Sequence, residues 1–169
     1  MRTVKIEERE KIDRIIRSCK SCYVAMSDQD QPYVLPMNFA LDGDTVILHS
    51  AQSGRMWETL KRNPRVCINW TSGEELAWQD VGVGCSYRVV SSSVLAEGEA
   101  VIVEAYDQKV ECMERLMAQY SDRTFRFSEP SILNVGVIRV RVHHFSARKF
   151  GAKAVTPWSK PEDDYSTGV

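Results

Sequence analysis

The residues with the most chemical potential cluster at one strand-to-helix junction: His49-Ser50-Ala51-Gln52-Ser53-Gly54-Arg55. A helix starting after Gly54 presents free backbone N–H groups and a partial positive charge to whatever lies before it. Ser50 and Ser53 add hydroxyl donors and Arg55 adds a cation, a set able to hold a phosphate. The same residues also fit an ordinary serine N-cap beside a surface arginine. His49 stands at the strand end, either as a hydrogen-bonded structural residue or as a group that passes a proton to a bound ligand. Pro36 lies in the middle of an apolar strand pattern and Asn38 follows it. A proline there removes a ladder donor, so it belongs at an edge or where something other than a strand meets the backbone. Asn38 is then a solvent-facing amide or a contact to the polar edge of a planar ligand. Cys19-Lys20-Ser21-Cys22 is formally a C-x-x-C pair, but a helix ends at it and a strand follows, the reverse of the thioredoxin order. His143 and His144 are adjacent on a strand, point to opposite faces and make a poor metal pair; no metal site is expected. No G-x-S-x-G, Walker A, H-E-x-x-H or Rossmann glycine pattern is present, which disfavours hydrolase, nucleotidase and dinucleotide dehydrogenase readings.

These residues need elements to position them. Ile12, Ile15, Ile16 and Cys19 follow helical spacing, with acids toward the start and Arg17 and Lys20 toward the end. Cys22–Met26, Tyr33–Leu41 and Thr45–His49 read as strands, the last two joined at the hairpin signal Asp42-Gly43-Asp44. Arg55–Arg62 reads as a short helix with Met56, Trp57 and Leu60 inward, stopped at Pro64. In Arg65–Trp70, Val66, Ile68 and Trp70 share one face while Cys67 and Asn69 take the other. Thr71–Gly84 reads as irregular, Tyr87–Val103 as a long strand or strand pair, and Gly136–His143 as a strand. Tyr106, Val110, Met113, Met117 and Tyr120 mark a helix between them. Consecutive strands joined by tight turns favour an antiparallel barrel of about six or seven strands over a doubly wound sheet.

The chain has 169 residues, 22 basic against 23 acidic, and a formal net charge of −1. That size suits one hydrophobic core, and that balance disfavours a nucleic-acid or membrane-surface partner. Five cysteines, an odd number, do not read as a disulfide framework. The charged stretch Met1–Glu10 lacks an apolar segment and no run approaches a bilayer span, so a cytoplasmic location is expected.

Several stretches together resemble a known family: Pro32-Tyr33-Val34-Leu35-Pro36-Met37-Asn38-Phe39-Ala40, the Asp42-Gly43-Asp44 hairpin, Leu48-His49-Ser50-Ala51, Gly54-Arg55, Leu60, and Asn63-Pro64-Arg65-Val66-Cys67. A looser match is Ser93-Val94 with Gly98, Ala100 and Val101-Ile102-Val103. The chain resembles the pyridoxamine-phosphate-oxidase-like flavin-binding split barrels, nearest the nitroimidazole-resistance (Nim-type) branch. The resemblance implies a mainly β fold with α elements: an antiparallel split β-barrel of Greek-key type with flanking helices. It implies one flavin-binding domain over residues 1–150 and a C-terminal tail over 151–169. It further implies a homodimer holding FMN or FAD at the interface. Pro36, Met37, Asn38 and Phe39 would flank the ring system. His49, Ser50, Ala51, Gly54, Arg55 and Met56 would lie near the ribityl phosphate, and Asn69, Ser92 and Ser93 would approach the cofactor.

Two departures lower the charge of that site. Met56 stands where the family usually has lysine, and Ser91-Ser92 where it often has Tyr-Arg; both leave room for FAD as well as FMN. The expected function is a flavin-dependent oxidoreductase reducing a small acceptor such as a nitroimidazole nitro group, with His49 as the catalytic residue. The alternatives are a non-catalytic flavin- or haem-binding protein that stores, carries or senses its ligand, and a thiol-redox protein using Cys19 and Cys22.

Overall fold

The computed structural model describes residues 2–152. Strand β1 (Arg2–Ile6) and helix α1 (Arg9–Ser18) precede β2 (Cys22–Asp28), β3 (Gln31–Met37), β4 (Phe39–Asp42) and β5 (Thr45–Ala51). Helix α2 (Arg55–Arg62) leads to β6 (Arg65–Ala77) and β7 (Arg88–Val103), then α3 (Tyr106–Ala118), α4 (Glu129–Asn134) and β8 (Val135–Ala152). All strand pairs are antiparallel, in the order β3-β2-β6-β7-β8-β5-β4, with β1 added on β8. β3 and β4 lie at opposite ends of that order yet are joined through the single residue Asn38. The sheet must therefore curl until its two ends meet, and no ladder closes the seam. This is the split barrel expected from the sequence.

Inside the barrel, alternate residues of each strand interdigitate: Val24 and Met26, Phe39 and Leu41, Val46 and Leu48, Ile68 and Trp70, Ile138 and Val140. The Phe39 and Trp70 rings meet edge to face at 5.4 Å. Ile12 and Ile16 of α1 pack into the same core. A second cluster forms outside the barrel, where Cys112 and Leu116 of α3 cover Ala40, Ile47, Val103 and Val137. Each helix thus buries one stripe. In α3 the buried stripe is Lys109, Cys112 and Leu116, about one residue round from the expected one; Met113, Met117 and Tyr120 flank it, partly buried.

Four local features differ from the sequence reading. The Tyr33–Leu41 segment breaks at Asn38, because β3 and β4 serve opposite edges of the sheet. β6 continues to Ala77 through the stretch expected to be irregular, held to β7 by a ladder with a register shift between Ser72 and Glu75. β1 is exposed along nearly its whole length and shows no burial alternation, so it joins by backbone pairing alone. α4 is short; Ser128 caps it by accepting from the Ser131 N–H, and Pro130 lies in its first turn. β8 carries the chain to Ala152. The remainder of the expected tail, 153–169, lies outside the described residues. Among the described residues no helix is long and apolar enough to cross a membrane.

Candidate functional site

Strand β3 is an edge strand, paired to β2 on one side only. Its prolines, Pro32 and Pro36, are four residues apart and so share an orientation with Val34. Edge placement tolerates them because their missing N–H groups need not feed a ladder. Pro36 thus sits at an edge, as one of its two readings required, and that edge remains open to a ligand.

The strand-to-helix junction lies on the other side of the seam. Gly54 has φ +97° and ψ 177°, a combination only glycine adopts readily. A Cβ there would meet nothing within 4 Å, so the requirement is conformational and not steric. Helix α2 starts at Arg55 with no side-chain cap. Its first-turn N–H groups are therefore available, the electrostatic prerequisite for anion binding. The serine N-cap reading is not what the structure shows: Gly54 occupies the cap position, with no side-chain cap, and Ser50 donates to the Ala51 carbonyl at 2.8 Å.

Arg55 spans the seam. Its Nε donates to Asp28 Oδ2 at 2.9 Å, and its guanidinium lies 4.4 Å from the centroid of the Tyr33 ring. Arg62 donates to the other Asp28 oxygen at 2.7 Å. The Arg55 and Arg62 hydrogen bonds hold the Asp28 carboxyl below its usual range. One carboxylate between two guanidinium groups leaves this corner with a net positive charge.

Register arithmetic links the remaining expected residues. Pro36 of β3 pairs with Tyr23 of β2, Tyr23 with Asn69 of β6, and Asn69 with Leu95 of β7. These four share one row and one outward face, and adjacent strands lie about 4.8 Å apart. Asn69 Nδ2 donates to Ser93 Oγ at 3.0 Å and to the Val94 carbonyl at 3.2 Å. Ser93 therefore joins this face, whereas Ser92 alternates to the other. No helix covers the face here: Tyr23 is 52% exposed, Val34 60% and Leu95 41%. An open groove of about 560 Å³ runs along it, lined by Ser27, Asn63, Arg65, Cys67, Glu97 and His143, among others.

Three expected contacts turn elsewhere. The Met37, Phe39 and Met56 side chains are buried in the barrel core, since inward parity, or the inner stripe of α2, takes them there. Phe39 has also given its N–H to the Tyr120 hydroxyl, at 2.9 Å, while Met56 retains a first-turn N–H. Asn38 is exposed at the seam and donates to the Lys20 carbonyl at 3.4 Å. His49 lies half-buried in register with Val137, on the sheet face that α3 covers, opposite in parity to Ser50. Burial pushes its pKa down, so the imidazole is neutral near pH 7. Sequence reasoning missed Asp28, Tyr33 and Tyr23; neither the seam pairing nor the register row leaves a local sequence signal.

The cysteine pair is buried. Cys19 Sγ donates to the Ile15 and Thr71 carbonyls, each at 3.4 Å, and Cys22 Sγ to the Met37 carbonyl at 3.6 Å. Burial raises the Cys19 thiol and pushes Cys22 up to about 12. Since the thiolate is the reactive form, burial holds this pair in the less reactive thiol form.

The comparisons with known proteins agree with this architecture. The family model for pyridoxamine 5'-phosphate oxidase matches residues 8–149. A Bacteroides thetaiotaomicron protein named for 5-nitroimidazole antibiotic resistance superposes with a TM-score of 0.80 at 34% identity, over 88% of this chain and 87% of that one. The flavocytochrome Anf3 of Azotobacter vinelandii (TM-score 0.74, 18% identity, 98% and 76% coverage) shares the fold. So does a FAD and haem binding protein of Mycobacterium smegmatis (0.77, 12%, 97% and 91%). A search of the curated proteins finds no match. With a family model spanning most of the chain and a 34% identical structure over nearly nine-tenths of it, this protein belongs to the pyridoxamine 5'-phosphate oxidase family.

Proposed function

We propose that this protein binds a flavin, FMN or FAD, along the seam between β3 and α2, and uses it to reduce a small acceptor. The observation that carries the reading is the uncapped α2 N-terminus beside a net-positive corner, facing an open strand edge. Family membership and the names of the neighbouring structures, among them a flavocytochrome and a FAD and haem binding protein, support it.

The residues present fit such a group. The N–H groups of Arg55 and Met56, with the Gly54 turn, hold its phosphate. The terminal nitrogens of Arg55, which have no partner among the described residues, add charge-assisted donors. The β3 edge at Val34 and Pro36 lies along the ring system, and Asn69 and Ser93 meet it from the uncovered sheet face. When bound, the flavin supplies two-electron transfer; the protein orients it. Two-electron reduction of the acceptor takes up protons, and His49 at the strand end, uncharged near pH 7, would relay them from solvent. The exposed face carrying Tyr23, Val34 and Leu95 is covered by a second copy of the chain, giving a homodimer.

The acceptor is a small planar nitro compound of the nitroimidazole class, a reading favoured by the 34% identical resistance protein. The test is turnover of a nitroimidazole by flavin-loaded protein with a chemical reductant, comparing wild type with His49→Ala. Loss of turnover at unchanged flavin content supports the role of His49, and full activity in the variant removes it. No turnover in the wild type would favour the carrier or sensor reading.

A further inference from the structure

Lys109 of α3 is the only charged side chain buried by the described residues, 7% exposed. It makes no ion pair among them. A methionine would fill the same space without the cost of desolvating an ammonium group. The group the lysine serves is one main-chain oxygen: Nζ donates to the Val135 carbonyl at 2.8 Å.

Gln52, in the middle of the strand-to-helix junction, reaches the same oxygen. Its Nε2 donates to the Val135 carbonyl at 3.1 Å and to the Leu133 carbonyl at 2.5 Å. Both carbonyls belong to the C-terminal end of α4, where orphan acceptors and the negative end of the helix dipole gather. Val135 is in register with Ala51, so this oxygen lies beside the end of β5. Two donors from different elements therefore fill both lone pairs of one carbonyl, fastening segment 49–55 to α3 and α4.

We propose that Lys109 and Gln52 are positioning residues, which hold segment 49–55 in the conformation that receives the cofactor phosphate. This rests on the flavin reading above. Neither residue touches the cofactor. Gln52 is exposed and outside the core, so its bonds shape the junction without filling the barrel.

The experiment uses the full chain and two variants. Gln52→Glu keeps the size and loses the N–H donors; Lys109→Met keeps the length and loses the ammonium group. Amide hydrogen exchange is followed in the flavin-free proteins and FMN affinity by titration. The proposal predicts exchange about tenfold faster over residues 50–55 in each variant, with barrel amides unchanged, and FMN affinity weaker by about tenfold, the worth of one hydrogen bond at the upper end of its range. Exchange and affinity equal to wild type would overturn it. Faster exchange throughout the barrel would also overturn it, showing a general role in stability. If the wild type binds neither FMN nor FAD, the flavin reading fails, and the exchange measurement alone decides whether the two donors hold the segment.

Discussion

Gly54 carries the sharpest residue-level demand in the site. At φ +97° and ψ 177° an alanine pays backbone strain with no compensating contact, because the space around it is open. Gly54→Ala should cost about 1–3 kcal/mol, read as a lowered urea midpoint at unchanged slope. His49 gives a pH prediction. Its pKa is lower in the folded protein than in the unfolded chain, so protonation favours unfolding. Its contribution is fully present above the unfolded value of about 6.5 and is lost as pH falls toward the folded value. Stability should therefore fall on acidification below about pH 6.5, and His49→Gln should fall less steeply over that interval. Parallel profiles for the two proteins would contradict this.

Among the elements, the long strands depend on one close approach. At Gly98, opposite the register shift where β7 meets β8, a Cβ would stand 2.3 Å from the Arg141 carbonyl oxygen. Backbone cannot move aside as a flexible side chain can, so Gly98→Val should cost about 1–3 kcal/mol or more through overpacking. Gly43→Ala, in open space at φ +58°, should cost only about 1 kcal/mol, the left-handed penalty alone. Equal midpoints for the two variants would refute that distinction. The contrast also shows what the sequence made legible. Alternation exposed the inward face of β6, and the Asp42-Gly43-Asp44 turn and Pro64 marked element ends, because these signals are local. The break at Asn38, the reach of β6 to Ala77 and the pairing of β1 depend on partners far along the chain. The junction residues 49–55 were visible as a contiguous motif. Asp28 and Tyr33 were not, because the seam that brings Arg55 to them exists only once the sheet has curled.

For the whole molecule, the uneven covering of the sheet matters most. α3 shields one outer surface with Cys112 and Leu116, while the surface carrying Tyr23, Val34, Asn69 and Leu95 stays bare. Exposed apolar rows of this kind mark association sites. If this surface joins two copies as proposed, the wild type is a dimer in sedimentation equilibrium and Leu95→Arg a monomer with weaker flavin retention, its fold intact by circular dichroism. A wild-type monomer that still retains flavin would show that one copy of the seam suffices.

Function turns on whether the seam holds a flavin, and the absorption spectrum of the freshly purified protein tests that most directly. A flavin in the seam gives bands that bleach with dithionite, and denaturation releases FMN or FAD. A colourless protein that takes up neither FMN nor FAD would contradict it, and a Soret band without flavin would transfer the site to haem.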